Sequence, residues 1–149
     1  RNIRRQFLGR RDWRVPRRIL RRIDETLELT GNNTGMVVSM AFNYGGRAEL
    51  VDAVKAIVEA GTPAQKVSEK TIRAHLYDPT MPDPELVIRT SGELRTSNFL
   101  MWEAAYSELV FTDVLWPDFR RADLYDGLGE FQRRARRFGG LAPPAPGDV

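Results

Sequence analysis

Residues 36–46, MVVSMAFNYGG, set the strongest constraint on the fold. The run 36–43 has the length of a strand, and its apolar residues are too continuous for a strand with one face in water. The pattern predicts a strand covered on both sides. Gly45-Gly46 then turns the chain into residues 47–59, where Leu50, Val51, Val54, Ile57 and Val58 recur at helical spacing. A covered strand leading through a tight turn into an amphipathic helix is the building unit of a parallel α/β sheet.

The alternation continues on both sides. Residues 3–8 predict a short strand, and residues 16–29 a helix with Ile19, Ile23 and Leu27 on one face. TGNNTG at 30–35 stops that helix. Ser68 is placed to cap a short helix over 68–75, and ELVIR at 85–89 predicts another strand. A helix is expected from Ser97 or Asn98 to Glu108, then an apolar segment, LVF, at 109–111 and a turn at WPDF, 116–119. The last helix is expected over 121–137, with Leu124, Leu128, Phe131, Ala135 and Phe138 on one stripe. The fold class expected is α/β, a parallel sheet with flanking helices in one domain over residues 1–140. The tail 141–149, LAPPAPGDV, is expected to be disordered. The strands are few for a complete sheet, so the N-terminal part of the domain is expected to be missing.

Composition narrows the function classes. The 149 residues suffice for a hydrophobic core, and 42% apolar with 29% charged residues describes a soluble globular chain. No apolar run reaches membrane-spanning length, and the opening RNIRRQF lacks the apolar core of a signal peptide. The absence of cysteine excludes a disulfide framework or thiolate metal site and fits a cytoplasmic location. The net charge of +3 hides a concentration of arginine: ten fall within residues 1–22, against the single acid Asp12. Guanidinium clusters suit phosphate, whether of nucleic acid, a membrane surface or a small ligand.

One stretch focuses that chemistry. In IRTSGELRTSNF, 88–99, Arg89 lies at the carboxyl end of a predicted strand, where parallel sheets bind ligands. Arg95 follows, and Ser97 and Asn98 would begin the next helix, whose amino end favours an anion. Spacing alone serves two readings equally: a diphosphate site, or an Arg–Glu surface ion pair on a capped helix.

The segment VIRTSGELRTSNFLMWEAAYSELVFTDVLWPDF, 87–119, strongly resembles the C-terminal signature of the cis-prenyltransferases, the undecaprenyl diphosphate synthase family. AFNYGGRAELVDAV at 41–54 resembles a second family block, and RRFGG at 136–140 the C-terminal RxG element, in matching order. The resemblance implies condensation of isopentenyl diphosphate with an allylic diphosphate to give a Z-polyprenyl diphosphate. It implies that Arg89, Arg95, Thr96 and Ser97 hold the isopentenyl diphosphate, and that Arg137 and Gly139 complete that site in the partner of a homodimer. It further implies that Glu108 helps bind Mg²⁺, and that the lipid product brings peripheral membrane contact.

Two departures stand out. The family's Asp-Gly-Asn-Gly-Arg-Trp-Ala block, which carries the catalytic Asp and binds the allylic diphosphate, has no counterpart here, and Leu94 stands where many members place a polar residue. The chain is therefore expected to hold the isopentenyl-diphosphate half of the site and to be inactive alone. A non-catalytic partner subunit of the same fold is the alternative. A nucleic-acid-binding module is a distant third, because aromatic residues do not interleave with the arginine runs.

Overall fold

A computed structural model describes residues 1–134 of the chain. They form two compact units: Arg1–Met81 together with Asn98–Trp102, and Pro82–Ser97 together with the chain from Glu103 onward. Each unit is built on a two-stranded parallel ladder, so the parallel α/β class expected from the sequence holds.

In the first unit β1 (Arg4–Leu8) pairs in register with β2 (Val37–Ala41), Arg4 opposite Val37 and Leu8 opposite Ala41. The crossover between them is α1 (Arg17–Thr30), and Pro16 immediately before it presets the helical entry. Helical spacing turns Ile23 into a core that includes Leu8 and Val15, and puts the arginines of the helix outside. Then come α2 (Gly46–Glu59) and α3 (Glu69–Arg73). At α3 the Ser68 hydroxyl accepts from the Thr71 amide at 3.3 Å while Thr71 Oγ1 accepts from the Ser68 amide at 3.2 Å. That reciprocal box satisfies two otherwise orphaned donors.

Two expectations fail here. β2 is not covered on both sides: Val37 and Met40 are exposed, as is Phe42 just beyond it, and among the described residues its ladder partner is β1 alone. In α2 the valines also face outward, Val51, Val54 and Val58 being exposed. The buried side is Gly46, Glu49, Ala53 and Ile57. Apolar spacing marked a real stripe, but the stripe that packs is the one carrying a carboxylate.

That carboxylate is satisfied. Glu49 is only 2% exposed, and it accepts from the Tyr44 hydroxyl and from the Tyr77 amide at 2.9 Å. One turn on, Asp52 takes Arg10 in a two-pronged pair, Nε and Nη2 each at 2.7 Å, and accepts from the Tyr77 hydroxyl at 2.7 Å. The Arg10 hydrogen bonds hold the Asp52 carboxyl below its ordinary range, against the opposing effect of burial. Burial, reinforced by donation to Asp52, pushes the Tyr77 phenol up to about 12. The end of β1, α2 and the segment after α3 are thus joined by a polar network instead of by an apolar seam.

In the second unit β3 (Leu86–Arg89) pairs in parallel with β4 (Glu108–Phe111), and α4 (Arg121–Arg133) packs on β4. Gly127 eases the approach, since a Cβ there would lie 3.0 Å from Ile88 Cδ1. The expected apolar stripe of this helix does not pack as a whole: Leu124 and Leu128 are exposed and Gly127 is the buried position. Ala135, Phe138 and the tail 141–149 lie outside the described residues.

A folded-state pKa below the unfolded value of about 3.9 makes Asp52 stabilising above that value, a contribution lost as pH falls through the folded one. Asp52→Asn should therefore lower the urea midpoint at neutral pH and flatten its decline on acidification toward pH ~3. Urea titrations at both pH values check this, and an undiminished acid decline in the variant would contradict it.

Candidate functional site

The arginines of 88–99 sit on a turn pinned from behind. Arg89 ends β3, and its carbonyl accepts from the Thr112 amide at 2.9 Å. The chain then reverses through Ser91 (φ 69°) and Gly92 (φ 66°), whose amides donate to the carbonyls of Val114 and Thr112, each at 2.9 Å. Glu93 follows. Arg89 Nη2 lies 3.8 Å from Glu93 Oε2, and Arg95 pairs with the same oxygen. Two guanidiniums from either side of the turn therefore reach one point, presently held by a carboxylate. The Arg–Glu ion pair read from the sequence is present, and it marks where both forks meet.

Exposure separates the pair. The Arg89 side chain is 35% exposed, whereas Arg95, at 68%, reaches into solvent. Thr96 and Ser97 are exposed beside it, as is Leu94. An anion with several oxygens can enter from the open side and take donors from both forks. Charge-assisted hydrogen bonds of this kind contribute roughly 1.5–3 kcal/mol each.

The helix expected from Ser97 to Glu108 is absent. Ser97, Asn98 and Leu100 take left-handed backbone conformations (φ 51°, 64° and 46°), which no right-handed helix accommodates. Only a single 3₁₀ turn, Glu103–Tyr106, lies in the interval. Ser97 therefore starts no helix, and its expected helix-end field does not exist. Asn98 is instead bound to α2. Its carbonyl accepts from the Gly46 amide at 2.8 Å, and its Oδ1 accepts from the Arg47 amide at 2.9 Å. It caps a helix 51 residues away in sequence. Met101 packs on Gly46, where a Cβ would come within 2.6 Å of its Cγ, and Phe99 meets Tyr44 edge-on at 5.9 Å. Left-handed non-glycine residues cluster where function over-determines the backbone, and four of them, including Ser91, lie within 91–100.

Glu108 is the first residue of β4, not the end of a helix. It stands opposite Leu86, whereas Arg89 stands opposite Phe111. The two are thus at opposite ends of the ladder, about 10 Å apart along the strands. Side-chain alternation also puts them on opposite faces: Glu108 shares its face with Ile88 and Val110, against α4. There Glu108 Oε2 accepts from Arg134 Nη1 at 2.9 Å, and the same nitrogen donates to the Leu109 carbonyl at 2.8 Å. The Glu108 and Glu130 carboxylates together raise the Arg134 pKa further. No group of three or more side chains able to hold a metal ion occurs among the described residues. The chain thus brings together Arg89 and Arg95, with Thr96 and Ser97 alongside, and keeps Glu108 apart. Arg137 and Gly139 lie outside the described residues.

The fold and the turn define a parallel α/β protein with two arginines converging at a strand tip. A family model described as putative undecaprenyl diphosphate synthase matches residues 1–139, and the chain belongs to that family. It is 47% identical over 131 residues to the isoprenyl transferase of Bacillus subtilis (85% of this chain, 50% of that protein). It is 45% identical over 141 residues to that of Thermotoga maritima (93% and 60%). Among solved structures, lavandulyl diphosphate synthase from Lavandula x intermedia, in complex with dimethylallyl diphosphate, superposes with a TM-score of 0.85 at 36% identity, covering 92% of this chain and 60% of that one. A probable undecaprenyl diphosphate synthase from Campylobacter jejuni gives 0.81 at 28%, covering 93% and 64%. The chain spans about half the length of the curated relatives it matches.

Asn98→Ala removes the side-chain cap of α2 and puts a β-carbon residue without a polar end into a left-handed position. It should cost about 1–2 kcal/mol, read as a drop in the urea midpoint. Asn98→Gly, which keeps the backbone permissive, should cost less. Equal losses in both variants would contradict the capping role.

Proposed function

We propose that this chain carries the isopentenyl-diphosphate half of a cis-prenyltransferase, which joins isopentenyl diphosphate to an allylic diphosphate and extends a Z-polyprenyl chain. The observation that carries this reading is the meeting of Arg89 and Arg95 at Glu93, in a chain of the undecaprenyl diphosphate synthase family. In the condensation the double bond of isopentenyl diphosphate attacks the allylic carbon. The allylic diphosphate departs, and a proton is lost from the attacking unit. The diphosphate of the attacking unit is kept, so it needs a site that holds it without activating it. Arg89 and Arg95 suit that task as permanent cations with planar paired donors, and Thr96 and Ser97 supply hydroxyls at the open edge. On entry the diphosphate takes the place of the Glu93 carboxylate.

Mg²⁺ is the cation this scheme would use to offset substrate charge. It commonly keeps several waters and takes one or two carboxylates plus substrate phosphate oxygens, so a closed cage is not required. Glu108 is the carboxylate we assign to it, and Arg134 would have to release or share that group. When bound, the ion offsets diphosphate charge. Since Glu108 and Arg89 occupy opposite faces and ends of one ladder, we assign Glu108, with Arg137 and Gly139, to a site completed across a homodimer. The allylic subsite and its catalytic Asp belong in this reading to the portion of the family domain that this chain does not span. The exposed Val37, Met40, Val51 and Val54 would be covered by that portion. We place the enzyme in the cytoplasm, with no nucleic-acid partner. No helix among the described residues is long and apolar enough to cross a membrane.

Calorimetric titration of the chain with isopentenyl diphosphate and Mg²⁺ tests the reading. Arg89→Ala and Arg95→Ala should each weaken binding at least about tenfold, while Arg73→Ala, outside the turn, should not. Wild-type affinity in both arginine variants would refute it.

A further inference from the structure

We propose that the outer face of α1, together with Trp13, is a docking surface for an anionic lipid bilayer. On a helix of 3.6 residues per turn, Arg17, Arg18, Arg21 and Arg22 fall within an arc of about 140°. All four are exposed, on the side away from buried Ile23. Arg22 pairs with Glu25 at 2.8 Å, and Arg11 pairs with Asp24. Arg17, Arg18 and Arg21 have no anionic partner among the described residues. Arg18, Ile19, Arg21, Arg22 and Glu25 border an open depression of about 390 Å³, roomy enough for phosphate headgroups.

The arrangement works against the helix that carries it. The first turn of α1 has no acidic residue, and cations there oppose the positive end of the helix dipole. Neighbouring guanidiniums also repel one another. Both costs are relieved by an external layer of negative charge.

Trp13 selects the kind of layer. Its side chain is 86% exposed, and the Arg14 guanidinium lies 5.3 Å from its ring centroid. An indole beside arginines is the combination that settles at a bilayer interface, with the ring at headgroup depth and the cations among phosphates. A nucleic-acid surface would need its cations to track a backbone, whereas these four span about 7.5 Å of helix rise. Membrane attachment also suits a chain whose proposed product is an insoluble isoprenoid, although the surface argument stands without that proposal.

Sedimentation of the chain with equimolar phosphatidylglycerol–phosphatidylcholine vesicles is the test, with pure phosphatidylcholine vesicles as the neutral arm and duplex DNA as competitor. The chain should sediment with the anionic vesicles, remain free of the neutral ones, and release as salt rises from about 0.05 to about 0.5 M. Arg17→Gln/Arg18→Gln/Arg21→Gln should lower the partition coefficient roughly 100-fold. The triple lysine variant should keep most of the binding, and matching far-UV circular dichroism shows that both variants fold. Trp13→Ala should weaken binding further. Equal binding by the glutamine variant, equal sedimentation with neutral vesicles, or displacement from vesicles by DNA would each overturn the proposal. None of these readouts involves isopentenyl diphosphate, so failure here leaves the reading of the arginine turn untouched.

Discussion

Parallel pairing of β3 with β4 governs which functional side chains of this chain can act together. The register sets Leu86 against Glu108 and Arg89 against Phe111. Strand alternation then assigns Val87, Arg89, Leu109 and Phe111 to one face, and Ile88, Glu108 and Val110 to the other. The face with Glu108 is occupied by α4, with Gly127 against Ile88 and Arg134 on the carboxylate. Arg89 instead leads into a turn held by Val114 and Thr112 carbonyls, which returns the chain so that Arg95 reaches Glu93. A one-residue slip would exchange these faces and dismantle both arrangements. The placements of Arg89 at the turn and of Glu108 against Arg134 are thus consequences of a single register.

Glu93 belongs to the same logic. Left alone, two guanidiniums at one point repel, and a fork free to rotate loses entropy whenever it binds. In the proposed function the Glu93 carboxylate, ion-paired with Arg95 and 3.8 Å from Arg89, keeps the two forks beside one another until a stronger anion arrives. Diphosphate, with more charge and more oxygens than a carboxylate, is suited to displace it.

Much of this was legible in the sequence because it is local. Ile19, Ile23 and Leu27 mark the inward face of α1, Ser68 marks the cap of α3, and the apolar ELVIR segment marks β3. The arginines of the turn were visible at a strand end, but their spacing alone fits a diphosphate site and an Arg–Glu ion pair equally. What escaped was non-local. Nothing between residues 97 and 108 announces that Asn98 caps a helix 51 residues earlier, so its helix-starting character points along the chain to a helix that does not form. Burial escaped for a related reason: Val37 and Met40 are as apolar as any core strand, but covering them is a property of neighbours. In α2 the apolar spacing drew attention to Val51, Val54 and Val58. Glu49 and Asp52, three residues apart with tyrosines at 44 and 77, were the better signal of the packed side.

The central claim is that the turn joining Arg89 to Arg95 receives a diphosphate in place of the Glu93 carboxylate. A crystal structure of the chain with isopentenyl diphosphate and Mg²⁺ tests it most directly. Phosphate oxygens within hydrogen-bond distance of both guanidiniums, about 2.7–2.9 Å, with Glu93 turned aside, are the result this account requires. Diphosphate bound elsewhere, with both arginines still paired to Glu93, would contradict it.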